Sequence, residues 1–237
     1  VTIDAAPARN RPGGWKTALA AGLLGALIGG GAVAYASRES VRDYLLANPE
    51  VLPEAMDRLR DRQAAQVVSA NRTALETPFA GAWAGAADGD VVLVEFFDYA
   101  CGYCRKSNGD VERLLREDPR LKVVWREWPV LGPDSEAAAR ASLAAAQAGR
   151  YKPFYDALFA AGRPNADSVA RARAAAGLGT DAAGAAGERE LERNFQLARA
   201  LEATGTPTFV VGDNIYQGAV GYETLKEAIQ EARARKG

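Results

Sequence analysis

The sequence predicts an α/β domain, and three observations predict it. A continuous apolar run, Val91–Phe97, leads through a short loop into Cys101-Gly102-Tyr103-Cys104 and then into a helical pattern. An alternating apolar run over residues 121–128 supplies a second strand. A strand–turn–strand–helix pattern occupies residues 208–236. A chain of 237 residues has room for one such domain plus an appendage.

The appendage comes first. Residues 1–16 are polar and basic, with Arg9, Arg11 and Lys16. Residues 17–36 carry no charge, and as a helix they would reach about 30 Å, roughly a bilayer core. Basic residues ahead of such a stretch favour a cytoplasmic start. The stretch reads as a transmembrane anchor or as the hydrophobic region of a signal. Its length and glycines favour an anchor, whereas Ala34-Tyr35-Ala36 before Ser37 fits a cleavage site. Both readings carry residues 37–237 out of the cytoplasm, where disulfides persist.

Residues 37–68 read as helical. Val41, Tyr44, Leu45, Leu52, Met56 and Leu59 recur at helical spacing over residues 39–68. Asn48-Pro49-Glu50 interrupts the pattern, with Asn48 as N-cap and Pro49 at the first helical position. So few apolar residues cannot make a core, so the segment is either a spacer or the seat of homo-oligomerisation. Residues 69–89 are Ala/Gly/Thr-rich, aperiodic and contain Pro78, and they read as a linker.

The domain proper spans 90–237. Val91–Phe97 has the unbroken apolarity of a strand buried on both faces. A helix follows from about residue 103 to 117 and stops before Pro119. The strand at 121–128 completes a βαβ unit, whose right-handed crossover makes the two strands parallel. Residues 134–203 read as a block of helices at 134–149, 151–162, 167–177 and 187–203. Strands at 208–211 and 215–217 flank the turn Gly212-Asp213-Asn214, and a last helix at 222–236 turns Leu225 and Ile229 inward. The order βαβ, helical block, ββα is that of a thioredoxin fold with an inserted helical subdomain.

Composition removes several chemistries. The net charge of −1 gives no reason to expect nucleic acid as a partner. The chain has no histidine, which removes Ser-His-Asp and Cys-His catalysis. Two cysteines without histidine fall short of the four N/S ligands of a structural zinc site, so no metal or cofactor is expected. What remains is the C-x-x-C itself. Alone it reads as a redox pair or as metal ligands. A strand before it and a helix after it favour redox chemistry. Cys101, at the helix N-terminus, gains from unpaired N–H groups and the macrodipole, so it is the expected attacking thiolate. Cys104, one turn further in, is the expected resolving thiol. Arg105 and Lys106 add positive charge nearby. Glu95 stands alone in the apolar strand. If buried, its pKa rises and it can exchange a proton with Cys104; the alternative is an exposed glutamate on an edge strand. Gly205-Thr206-Pro207-Thr208 opens a strand, the place where proline is tolerated, with a cis peptide as one option.

Glu95-Phe96-Phe97-Asp98-Tyr99-Ala100-Cys101-Gly102-Tyr103-Cys104-Arg105, with residues 205–212, resembles the DsbA-like family of periplasmic thiol–disulfide oxidoreductases. Residues 126–135 resemble that family's entry into the helical insertion, and residues 41–52 resemble the N-terminal region of its ScsC-like branch. The resemblance implies that Cys101 and Cys104 are the redox-active pair and that Pro207 is a cis-proline facing them. It also implies that backbone at Thr206 pairs with an extended client segment, with Gly102 and Tyr103 also meeting the client. The partners implied are client proteins with cysteines and a membrane or periplasmic redox partner. In the ScsC-like branch the N-terminal helices mediate oligomerisation, and the expected location is the periplasm, anchored to the inner membrane through 17–36 or released near Ala36. Strong oxidants of the family resemble Cys-Pro-His-Cys. Here Gly102 and Tyr103 replace that spacer, which together with Thr206 resembles disulfide isomerases. Oxidase or reductase activity of the same family and Cu(I) binding by the two thiols are the alternatives.

Overall fold

The computed structural model describes residues 41–235, so the basic segment 1–16, the segment 17–36 and the bond after Ala36 lie outside the described residues. Among the described residues no helix is long and apolar enough to cross a membrane. The chain divides into two units, Val1–Arg58 and Leu59–Gly237.

In the first unit residues 41–47 are helical, and a break at 48–50 precedes α1 (Val51–Glu76), which runs on into the second unit. Asn48 does not act as the expected N-cap. Its Nδ2 donates to the Tyr44 carbonyl at 2.9 Å and closes the preceding helix, leaving α1 to start at Val51. Val41, Tyr44, Leu46, Leu52 and Met56 are exposed.

The second unit is built on a five-stranded sheet. Its strands are β1 (Trp83–Gly85), β2 (Val91–Phe97), β3 (Leu121–Glu127), β4 (Thr208–Val211) and β5 (Asn214–Gln217), in the order β1-β3-β2-β4-β5. β2 and β3 are parallel, as a βαβ crossover requires, and the other pairs are antiparallel. The central strands alternate with period two between opposite faces. Leu93, Phe97, Val123, Trp125 and Phe209 enter one core, and Val94, Phe96, Val124 and Val210 enter the other. The first core is covered by α2 (Gly102–Glu117), by α3 (Pro133–Gln147) and α4 (Tyr151–Ala160) of the insertion, and by α7 (Tyr222–Ala234). The second is covered by Val68 and Leu75 of α1 and by Leu197 and Ala198 of α6 (Gly184–Ala200). α5 (Ala166–Ala175) completes the insertion, started by a capping box between Asn165 and Ser168.

The segment 69–89 is not a linker. α1 continues to Glu76 with Leu75 buried in the second core, and β1 pairs with β3. Its glycines reflect close backbone approach rather than freedom. At Gly85, where φ is 90°, a Cβ would lie 2.2 Å from the Leu121 carbonyl oxygen. At Gly89 it would lie 2.8 Å from that of Arg120.

Arg126, on the second face of β3, is buried and locks this segment in place. Its guanidinium donates to the Ala74, Leu75 and Thr77 carbonyls at the end of α1, where helical carbonyls lack partners. It also reaches Glu190 Oε1 at 2.5 Å and Asn194 Oδ1 at 3.2 Å on α6. Arg126→Met would strand those carbonyls and leave the buried Glu190 with only the longer pairing to Arg193 at 3.6 Å. Denaturant unfolding should register a loss of about 3–5 kcal/mol, and Arg126→Met combined with Glu190→Gln should recover part of it.

Candidate active site

The dithiol sits where β2 hands over to α2. Cys101 is the N-cap of α2 in extended conformation, φ −77° and ψ 118°, and its sulfur accepts from the Cys104 N–H at 3.4 Å. Asp98 fixes the approach to it. The Asp98 carbonyl accepts from the Cys101 N–H at 3.0 Å. The buried carboxylate accepts from the Ala100 N–H and the Ser135 hydroxyl on one oxygen, each at 2.7 Å. Its other oxygen accepts from the Val130 and Leu131 N–H groups at 2.8 and 2.9 Å. One side chain thereby binds the cysteine loop, the loop after β3 and the first turn of α3.

The two sulfurs have opposite electrostatics. The Cys101 pKa is lowered to about 5, chiefly because the Cys104 thiol can donate to its sulfur. Burial opposes this, while hydrogen bonding from Thr206 and the N–H groups of Tyr103 and Cys104 assists. Burial pushes the Cys104 thiol strongly upward, and hydrogen bonding to Cys101 and the charge of Glu95 add to it. Both cysteines are free thiols. Cys101 is 5% exposed and Cys104 is wholly buried, so Cys101 is the more accessible of the two.

Thr206 faces the accessible sulfur. The protonated Cys101 Sγ donates to the Thr206 carbonyl at 3.2 Å, and the Thr206–Pro207 peptide is cis. This loop is tied from behind. Thr208 Oγ1 shares its one proton between the Gly205 carbonyl at 2.7 Å and Gln217 Oε1 at 3.0 Å, and the Gly218 N–H donates to the Pro207 carbonyl at 2.8 Å. Gly102 and Tyr103 lie outside. Tyr103 is 68% exposed, and a Cβ at Gly102 would meet nothing within 4 Å.

Glu95 lies wholly buried in the central strand β2, flanked by Trp125 of β3 and Phe209 of β4. The edge-strand alternative is thus excluded. Burial raises its pKa to about 8, against a hydrogen bond from Trp125, and a thiolate at Cys101 raises it further. Its Oε2 accepts from Trp125 Nε1 at 3.0 Å, while Oε1 has no partner. Arg105, expected to add charge at the sulfur, turns to the insertion, where its Nε donates to the Phe159 carbonyl at 3.2 Å. Among the described residues no group of three or more acidic, cysteine or histidine side chains forms a metal cluster.

The structure brings together Cys101, Cys104 and Glu95, with Thr206 and Pro207, which the resemblance had implied to face the pair, beside Cys101. Asp98, Trp125, Thr208 and Gln217 are further members that the sequence did not single out. Asp98 followed by Ala100 carried a local signal, an Asx turn closed two residues on. Trp125 and Gln217 had none, because their partners are set by strand register and by the hairpin.

A sulfur on a helix N-cap, a buried second thiol behind it and a sheet of this topology define a thioredoxin fold built around a C-x-x-C dithiol. The chain belongs to the DSBA-like thioredoxin domain family, which matches residues 92–230. Residues 38–66 match the copper resistance protein ScsC N-terminal domain. Among solved structures, ScsC of Proteus mirabilis in a transitional conformation is similar at 30% identity and TM-score 0.67, over 84% of this chain and 94% of that one. A thioredoxin-like oxidoreductase from Silicibacter pomeroyi is 40% identical with TM-score 0.61, over 65% of this chain and 92% of that one. A curated relative, the Na(+)/H(+) antiporter NhaA 3 of Salinispora tropica, is 29% identical over 162 residues, or 63% of this chain. The match spans 24% of that relative's length, about a quarter.

In the reduced protein the thiolate absorbance of Cys101 should titrate with a midpoint near pH 5, and Cys104→Ala should raise that midpoint by removing the thiol donor. The sign of the stability effect follows from the lowered pKa. The thiolate's contribution to the reduced fold is complete above the free-thiol value of 9.0 and is lost as pH falls through about 5. Denaturant unfolding of the reduced protein across that window checks it.

Proposed function

We propose that this protein exchanges disulfides with client proteins through Cys101 and Cys104, acting as an isomerase more than as an oxidase. The supporting observation is the asymmetry of the two sulfurs above a buried carboxyl. The Cys101 thiolate attacks a client disulfide; one client sulfur bonds to Cys101 and the other leaves with a proton. From this mixed disulfide two routes open. A free client thiol attacks the bonded client sulfur, which re-pairs the client and returns the Cys101 thiolate with no net electron transfer. Otherwise Cys104 passes its proton to Glu95 and attacks the Cys101 sulfur. The Cys101–Cys104 disulfide forms, and the client leaves reduced. While Cys101 is held in the mixed disulfide it carries no charge. The thiolate repulsion that adds to burial in raising the Glu95 pKa is then relieved when Cys104 needs a proton acceptor.

Thr206 and Pro207 serve as the docking edge in this reading. Main-chain hydrogen bonds to an extended segment are independent of its sequence, which suits an enzyme of many clients. Gly102 and Tyr103 meet the client from the exposed side. A Cys101 pKa of about 5 lies between weakly oxidising dithiols near about 7 and the strongest oxidants near about 3.5. Together with a spacer that lacks histidine, this favours shuffling. The chemistry calls for a compartment where disulfides persist. A periplasmic thioredoxin-like protein of Salmonella enterica has a similar structure. We place the domain in the periplasm, with residues 17–36 as anchor or signal and a membrane or periplasmic redox partner to reset the pair. Exposed apolar residues on 41–56 fit self-association, which would hold two dithiols around one client.

Cys104→Ala removes the resolving thiol, so it should accumulate mixed disulfides through Cys101 in the oxidising compartment, at least tenfold above wild type on non-reducing gels. Scrambled ribonuclease should regain activity with the wild-type protein and not with Cys101→Ser. No trapped partner together with tight Cu(I) binding would favour a copper carrier instead. A glutathione-equilibrated potential as high as the strongest family oxidants would remove the isomerase preference.

A further inference from the structure

The aromatic wall between the dithiol and the helical insertion holds one polar contact that the exchange scheme leaves unused. Glu95 and Trp125 are directly opposite each other on the parallel pair β2–β3, and both project to the face that holds Cys101 and Cys104. The indole N–H reaches Glu95 Oε2 at 3.0 Å, and no other hydrogen bond reaches the carboxyl; Oε1 is buried without a partner. The ring cannot easily turn away. Tyr151 stacks on it at 5.7 Å and 30°, and Tyr155 lies 4.8 Å away at 36°, both from α4 of the insertion. Tyr155 is itself pinned, its hydroxyl donating to Asn108 of α2 at 2.7 Å.

We propose that Trp125 is a positioning residue for the exchange: its indole N–H, clamped by the helical insertion, fixes one oxygen of the Glu95 carboxyl and leaves the other open to take the proton of Cys104. The inference rests on Glu95 being the proton acceptor in that step. It also gives the insertion a chemical role, since α4 holds the ring that holds the acid. A buried carboxyl with two free oxygens would rotate, and its charged form would lack any donor. A single donor on Oε2 favours the carboxylate and selects which oxygen is basic toward the sulfur.

The other ionisable groups facing Glu95 do not compete for this role. Cys101 and Cys104 are the reacting pair. Tyr155 is neutral, since burial pushes its pKa well above 10.0, with the Glu95 charge adding to the effect. Phe209 on β4 carries no charge. Glu127, two residues along β3, is engaged by the Ser142 hydroxyl at 2.8 Å.

The test follows the resolving step in the full chain. Reduced protein is mixed with dithiodipyridine, which forms a thiopyridyl disulfide on Cys101. Attack by Cys104 then releases the second thiopyridone, and its rate is read by stopped-flow absorbance across pH. In wild type the rate should rise with pH as Glu95 loses its proton. Trp125→Phe keeps a ring between the tyrosines and deletes the donor. Its midpoint should move up by about one pH unit, with a rate about tenfold lower below the midpoint and convergence at alkaline pH. Benzothienylalanine at position 125, in which sulfur replaces the N–H, should act alike and serves if Trp125→Phe does not fold. An unshifted midpoint, or an equal loss at every pH, overturns the inference. Glu95→Gln separates it from the reading beneath it. If Glu95→Gln keeps the wild-type midpoint, Glu95 is not the acceptor and both fall. If it abolishes the inflection while the Trp125 variants leave it in place, only the positioning role falls.

Discussion

The geometry of the site depends on the Asp98 carboxylate. A buried charge is tolerated only where donors replace water, and Asp98 has four of them, from Ala100, Val130, Leu131 and Ser135. These donors come from three separate stretches of chain. The carboxylate thus sets how the cysteine loop meets the insertion, and it holds Cys101 at the α2 N-terminus where N–H groups can act on sulfur. Cys101 joins this framework through its own N–H on the Asp98 carbonyl, and its sulfur is left to the N–H groups of the helix start.

Around that framework the polar groups are sorted by sheet face. Arg126 and its partners lie on one side of β3, and Trp125 and Glu95 with the sulfurs lie on the other. Consecutive residues of one strand therefore do separate work. Arg126 is tied into α1 and α6, while Trp125 and Glu127 face the aromatic and hydroxyl groups of the insertion. The period of two keeps a buried cation from the acid beside the dithiol. A guanidinium near Glu95 would hold that carboxyl ionised and deprive it of a raised proton affinity.

Much of this was legible in the sequence, and the reasons differ by element. β2, α2 and the closing hairpin could be read because their signals are local: an apolar run, a helical period and a Gly-Asp-Asn turn. Glu95 could be read because a lone charge in a buried strand is anomalous. The segment 69–89 reads as a linker because Gly85 and Gly89 look like freedom in a sequence, whereas here they mark the Leu121 and Arg120 carbonyls around the start of β3 passing too close for a Cβ. Asn48 reads as the cap of the following helix yet closes the preceding one, because a side chain can close one helix as well as open the next. Trp125 opposite Glu95 and Gln217 behind Thr208 depend on register between distant strands, which no single segment encodes.

The emptiness around Gly102 has a consequence for how such a site can change over time. No neighbour contacts a side chain placed there, and Tyr103 extends into solvent beside it. The two spacer positions between the sulfurs are therefore not held by packing, unlike the strand and core positions around them. Substitution there can change what the dithiol presents to solvent while the core stays unaltered.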